Sequence, residues 1–201
     1  MKPFKIRRYL DISPAFVAFL CAYFYFDPAQ TFFLFLLAAT LHESGHLLAL
    51  RCMHAQIHKI SLQLSGAVIC TQSLPYSREF LAAAAGPAVN ALCSGVFLHH
   101  NPRFALINLL LLFYNLLPFY PMDGGRMLRA VLRLLLAQRA ADIVEHLVAV
   151  VGFLSLAAFS CYLTVVWHAG LWPMLFCALL LLRCAGTVLP TQHFMRRKRV
   201  Q

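Results

Sequence analysis

The sequence predicts an all-α polytopic membrane protein, with about six transmembrane helices and a short membrane-associated β-hairpin after the second. Three observations lead there. The 201 residues are 61% hydrophobic and only 12% charged, where soluble domains carry about 25% charged residues. Mean hydropathy is +0.73. The apolar residues fall into separate runs near the ~20 residues that a helix needs to cross a bilayer.

Taken in order, the expected spans are approximately 10–26, 31–50, 80–98, 104–120, 143–167 and 171–189. The first is short and aromatic. A signal peptide is the competing reading, but "YFYFDPAQ" is bulky and offers no small-residue cleavage site, so it is taken as a retained span. The fourth run breaks near Pro118 and Pro121. Between the second and third runs, Ile60, Leu62 and Leu64 alternate with Ser61, Gln63 and Ser65. That period of two, with Ser65-Gly66 available for a turn, argues a hairpin over 57–70. After the fourth run, Arg126, Arg129 and Arg133 recur at helical spacing in "GRMLRAVLRLLLAQR", the pattern of an amphipathic helix on the inner surface.

The net charge of +10 raises the question of a nucleic-acid partner. The basic residues cluster beside the apolar runs, in "MKPFKIRR", in the stretch from Arg126 to Arg139 and in "MRRKR". With six spans and a cytoplasmic N-terminus, the 17 Lys and Arg residues all fall on the inner side except Arg103, which lies outside, and Arg183, which sits late in the last span and can snorkel inward. The clusters therefore record orientation, with both termini cytoplasmic. The expected setting is a plasma membrane, and no nucleic acid is expected as a partner. The seven cysteines include no CxxC and lie mostly in apolar runs, so they read as small buried hydrophobes.

Inside the second run stands "TLHESGHLLAL". Positions four apart share a helix face, so His42 and His46 can turn both imidazoles toward one ion. This is the core of the H-E-x-x-H zinc pattern, with Glu43 close enough to act on a water bound there. A charge at the centre of a span costs about 2.5–3.5 kcal/mol on insertion scales, so such residues are kept where they are paired, wet or functional. A third ligand is needed. Asp123 in "NLLPFYPMDGGR" follows two prolines and precedes Gly124-Gly125. Backbone broken in that way is tolerated at membrane depth where it is buried or lines a watery cavity. The alternative, Asp123 as a residue of a cytoplasmic turn, stands beside this reading.

Together, "HESGH", "AAGPAVN" and "NLLPFYPMDGG" resemble, in order and spacing, the site-2 protease family of intramembrane zinc metalloproteases. The resemblance covers roughly residues 30–130 and is closest to the compact bacterial branch without a PDZ domain, which includes a sporulation sigma-factor-processing protease. It implies one zinc ion held by His42, His46 and Asp123, with Glu43 as general base and then general acid. It implies that Asn115 contacts the substrate or steadies the intermediate; a helix-packing hydrogen bond is the other reading of that residue. Gly86 and Pro87 read as a close-packing site, with Asn90 supporting the centre. The hairpin is expected to hold an unwound substrate along a strand edge.

The expectation is thus a single membrane-embedded domain over 1–201. It would be a zinc metalloendopeptidase cleaving membrane-associated protein substrates in the lipid bilayer, as in regulated intramembrane proteolysis. "QHFMRRKRVQ" closes the sequence without a regulatory domain, so selection is expected from the membrane core, its loops or a regulatory membrane protein. Two other classes remain: an inactive zinc-containing regulatory or chaperone-like protein, disfavoured by Glu43, and a metal transporter, disfavoured because the polar residues form one concentrated site. His54, His58, His99, His100 and His146 are expected at wet interfaces, Glu145 solvated or paired there, and Trp167 and Trp172 as interfacial anchors.

Overall fold

The computed structural model describes residues 10–27, 30–63, 66–168 and 170–188. The basic terminal clusters and Ser65 of the expected turn lie outside the described residues. Ten elements follow one another: β1 (Leu10–Ile12), α1 (Pro14–Phe26), α2 (Phe32–Cys52), β2 (Ile57–Gln63), β3 (Gly66–Thr71), α3 (Tyr76–Phe97), α4 (Pro102–Asn115), α5 (Asp123–Leu135), α6 (Gln138–Val165) and α7 (Trp172–Val188). They divide into two compact units, residues 1–116 and 117–201.

Among the described residues, three helices are long and apolar enough to cross a membrane: α2 with 21 residues, α3 with 22 and α6 with 28. At 1.5 Å per residue these exceed the ~30 Å of hydrocarbon. The other expected spans correspond to shorter helices: α1 has 13 residues, α4 14 and α7 17. The starts of α1 and α4 are written locally. Each has proline in its first turn, where the missing N–H costs nothing. Asn101 caps α4 by accepting from the Phe104 N–H at 3.1 Å, as a side-chain oxygen at that position should.

In the first unit, α2, α3 and α4 pack mutually. Small residues set the spacing. Ala38, Ala82 and Ala83 are buried, and a Cβ on Gly45 would stand 2.7 Å from the Ala85 carbonyl oxygen and 2.8 Å from Val89 Cγ2. Close approach through such residues drives helix association in lipid, where burial of apolar surface gives no preference. The polar side chains Thr40 and Ser44 of α2 return to their own helix, each donating at 2.7 Å to a carbonyl four residues back.

The expected hairpin forms. β2 and β3 pair antiparallel, with Ile60 opposite Ile69 and Leu62 opposite Ala67. A third strand joins it: β1 adds to β2 in parallel, Leu10 opposite Ile60 and Ile12 opposite Leu62. The start of the first expected span is thus a strand, and its helix begins only at Pro14. Lys59 Nζ reaches Asp11 Oδ2 at 2.6 Å across this junction. β2 is the middle strand, and its small polar Ser61 is buried.

In the second unit, α5 packs on α6, and α6 on α7. The expected amphipathic helix is α5. It buries Asp123, Gly125 and Ala130, while two of its arginines bind α6: Arg129 grips Glu145 and Arg133 pairs with Asp142.

Candidate metal centre

The first part of the site is built within α2. His42 and His46 lie one turn apart, and both are buried, at 5% and 7% exposure. Their rings meet edge to face, with centroids 4.7 Å apart, and their Nε2 atoms stand 3.1 Å from each other. His46 Nδ1 lies 2.7 Å from the backbone carbonyl oxygen of Ala82 on α3. A carbonyl only accepts, so His46 carries its proton on Nδ1 and presents a bare Nε2 lone pair toward His42. Such a fixed tautomer is what a metal-ligating imidazole requires.

The opposite wall is Gly86. A Cβ there would sit 2.3 Å from His46 Nε2 and 2.7 Å from His42 Cε1, so only glycine lets α3 come this close to both imidazoles. The expected close-packing role of Gly86 is thereby specific: what packs on it is the histidine pair. Pro87 follows inside α3 and supplies no N–H to the carbonyl four residues back. Asn90, one turn beyond Gly86, is completely buried. Glu43 is half-buried beside His42.

Asp123 belongs to the second unit and opens α5. Its carboxylate is at the helix end where negative charge is favoured, it is buried to 7% exposure, and Arg126 Nη1 lies 3.5 Å from its Oδ1. Met122 precedes it in extended conformation, φ −65° and ψ 160°, so the helix starts at Asp123 itself.

His42 and His46, both on α2, each offer one ring nitrogen to a metal ion, and Asp123 is the carboxylate expected as the third donor. Two nitrogens bound to a tetrahedral zinc at about 2.0–2.1 Å stand roughly 3.3 Å apart, and the imidazole pair is within a few tenths of that. Two nitrogens and one carboxylate are also the donor types of catalytic zinc sites, which leave a fourth position open. The donor set and the glycine-walled cradle therefore fit such an ion.

The model of peptidase family M50 matches residues 102–159. A zinc metalloprotease of Methanocaldococcus jannaschii is 34% identical over 117 residues, covering 52% of this chain and 34% of that protein. The chain thus spans about a third of the length of that relative. The solved site-2 protease of Methanocaldococcus jannaschii superposes with a TM-score of 0.64 at 24% identity, covering 92% of this chain and 94% of that one. The resemblance to the site-2 protease family holds. The fold is site-2 protease-like, mostly helical with a small sheet.

Other expected residues fall differently within this site-2 protease-like frame. Asn115 ends α4, half-buried, and its Nδ2 donates at 3.0 Å to the Leu111 carbonyl of its own helix. The packing bond expected of it between helices is thus made within one helix. Glu145 is paired, as one of its two readings had it, accepting from Arg129 Nε at 2.9 and 3.1 Å. His54, His58, His99, His100 and His146 are exposed. The sequence reading missed the Ala82 carbonyl, for which no side-chain signal exists, and Phe119, which is 1% exposed.

Proposed function

We propose that this chain is a zinc-dependent intramembrane endopeptidase that hydrolyses peptide bonds of membrane-associated proteins. The observation that carries the reading is the buried His42–His46 pair, its Nε2 atoms 3.1 Å apart, next to Glu43, with Asp123 taken as the third ligand. When bound, zinc supplies Lewis acidity, bringing the pKa of water to about 7 and polarising a carbonyl.

The chain's own residues would do the rest. Glu43 takes a proton from the attacking water as its oxygen bonds to the scissile carbon. The same carboxyl then returns that proton to the amine nitrogen as the C–N bond breaks. The Nδ2 of Asn115 carries two N–H groups. The bond to Leu111 uses one and fixes the amide plane, and the second is the donor for the developing oxyanion. The substrate must be extended to expose its peptide bond. β2 is paired with β1 on one side and β3 on the other, which leaves outer edges on β1 and β3, and the six-residue β3 is the longer edge for strand addition.

Six spans in a plasma membrane, with both termini cytoplasmic, complete the proposal. The lysine and arginine distribution supports that orientation, and the three long apolar helices support a membrane setting.

Glu43→Gln tests the reading. Cleavage should vanish while zinc content stays near one per chain. Comparing membrane-protein fragments in cells carrying the wild type and Glu43→Gln should reveal products present only with the wild type. Identical fragment patterns would reject a protease and favour a regulatory or transport role.

A further inference from the structure

We infer that α6 sets the position of the Asp123 carboxylate, with Phe119 as the positioning residue between them. The inference rests on the reading of Asp123 as a metal ligand and adds what holds that ligand in place.

All the contacts lie within the second unit. The Phe119 ring is buried at 1% exposure and stacks on Phe153 of α6, with centroids 4.2 Å apart and planes at 15°. Beside Phe153, Gly152 makes the room: a Cβ there would stand 2.5 Å from Phe119 Cε1 and 2.8 Å from Cζ. The backbone of the same Phe119 supports the start of α5. Its carbonyl accepts from the Met122 N–H at 2.8 Å. A Cβ on Gly125 would come within 2.3 Å of its carbonyl carbon, so the first turn of α5 rests directly on this peptide. Asp123 lies inside that turn. The ring is thus fixed by α6 and the backbone by α5, and a shift of the ring must move the turn that bears the carboxylate.

A second link runs in parallel. Arg129 of α5 has its guanidinium 4.2 Å from the centroid of the Tyr120 ring, and the same guanidinium makes three hydrogen bonds to Glu145 of α6. Adjacent loop residues, Phe119 and Tyr120, are therefore tied to α6 by independent means. A broken stretch between two helices would otherwise leave the carboxylate loosely aimed, and outer supports of metal ligands typically contribute about 10–100-fold in affinity.

The test is zinc affinity of the purified full-length chain, measured by competition with a chelating dye, with no substrate needed. Gly152→Ala should weaken zinc binding about 10–100-fold. Adding Phe119→Leu, which deletes the Cε1 and Cζ atoms that the new methyl meets, should restore most of it. Glu145→Gln should weaken binding in the same direction, by less. Asp123→Ala is the reference. If it keeps wild-type affinity, the ligand reading falls and this inference with it. If Asp123→Ala loses zinc while Gly152→Ala and Glu145→Gln both keep it, only the positioning role is overturned. Weakening by Gly152→Ala that Phe119→Leu does not relieve also overturns it, since general damage to α6 would behave that way.

Discussion

His46 Nδ1 donates to the Ala82 carbonyl across 2.7 Å, so a backbone atom of α3 decides which nitrogen of an α2 histidine is left bare. Tautomer, ring orientation and helix spacing are set by one contact.

Gly86 should tolerate no side chain. In Gly86→Ala the methyl would meet His46 Nε2 at 2.3 Å, so either the imidazoles turn away or α3 retreats and the Ala82 bond lengthens. Zinc affinity should fall by at least about tenfold, with cleavage falling in parallel. Metal content after dialysis measures the first and fragment yield the second; wild-type zinc content in Gly86→Ala would contradict the cradle.

Gly45 should behave differently, because what it meets is the Ala85 carbonyl oxygen and Val89. Val89 can yield but the backbone cannot. Gly45→Ala should therefore destabilise the packing of α2 on α3 by about 1–3 kcal/mol, the usual cost of overfilling a close-packed contact. Thermal unfolding of the detergent-solubilised chain would register this as a lowered midpoint.

Removing the metal should stop the proposed reaction reversibly. A chelator such as 1,10-phenanthroline should abolish cleavage, and added zinc should restore it, while His46→Ala should not be restored by the same addition. Recovery of His46→Ala to wild-type rate at low zinc would argue against the ligand set.

Proline introduced in turn along Ala67–Cys70 probes the edge of β3. Each removes one backbone N–H from a strand of six residues. Substitutions that face the open edge should slow cleavage with zinc retained. Unchanged rates across all four positions would place substrate elsewhere.

The junction of β1 with β2 should be sensitive to alkali. The hydrogen bond and charge of Asp11 raise Lys59 above lysine's ordinary 10.5. A base whose pKa is raised by folding contributes stability fully below its unfolded value, and loses it as pH climbs through the folded one. Protection of the Leu10–Ile12 amides against hydrogen exchange should therefore hold through neutral pH and weaken above about 10.5. Asp11→Asn should remove that pH dependence. The pair is exposed, so the effect is confined to this strand and screened by salt.

Much of this was legible before any coordinates. A period of four put His42 and His46 on one face, and a period of two wrote the β2–β3 hairpin. Arginine spacing wrote α5. Each is a local instruction, read within a few residues of itself. β1 escaped because three residues carry too little pattern to separate a strand from the beginning of an apolar helix, and its partner Ile60 lies far along the chain.

The sequence alone determined the membrane class, the candidate donors and the helices that carry them, because hydrophobic periodicity and ligand chemistry are properties of neighbouring residues. Tertiary structure alone decided that Ala82 orients His46, that Gly86 walls the histidine pair and that Phe119 seats against Gly152. Those choices depend on which surfaces meet and how closely. A glycine, a carbonyl or a loop phenylalanine carries no mark of its partner until the backbones are packed to within van der Waals contact.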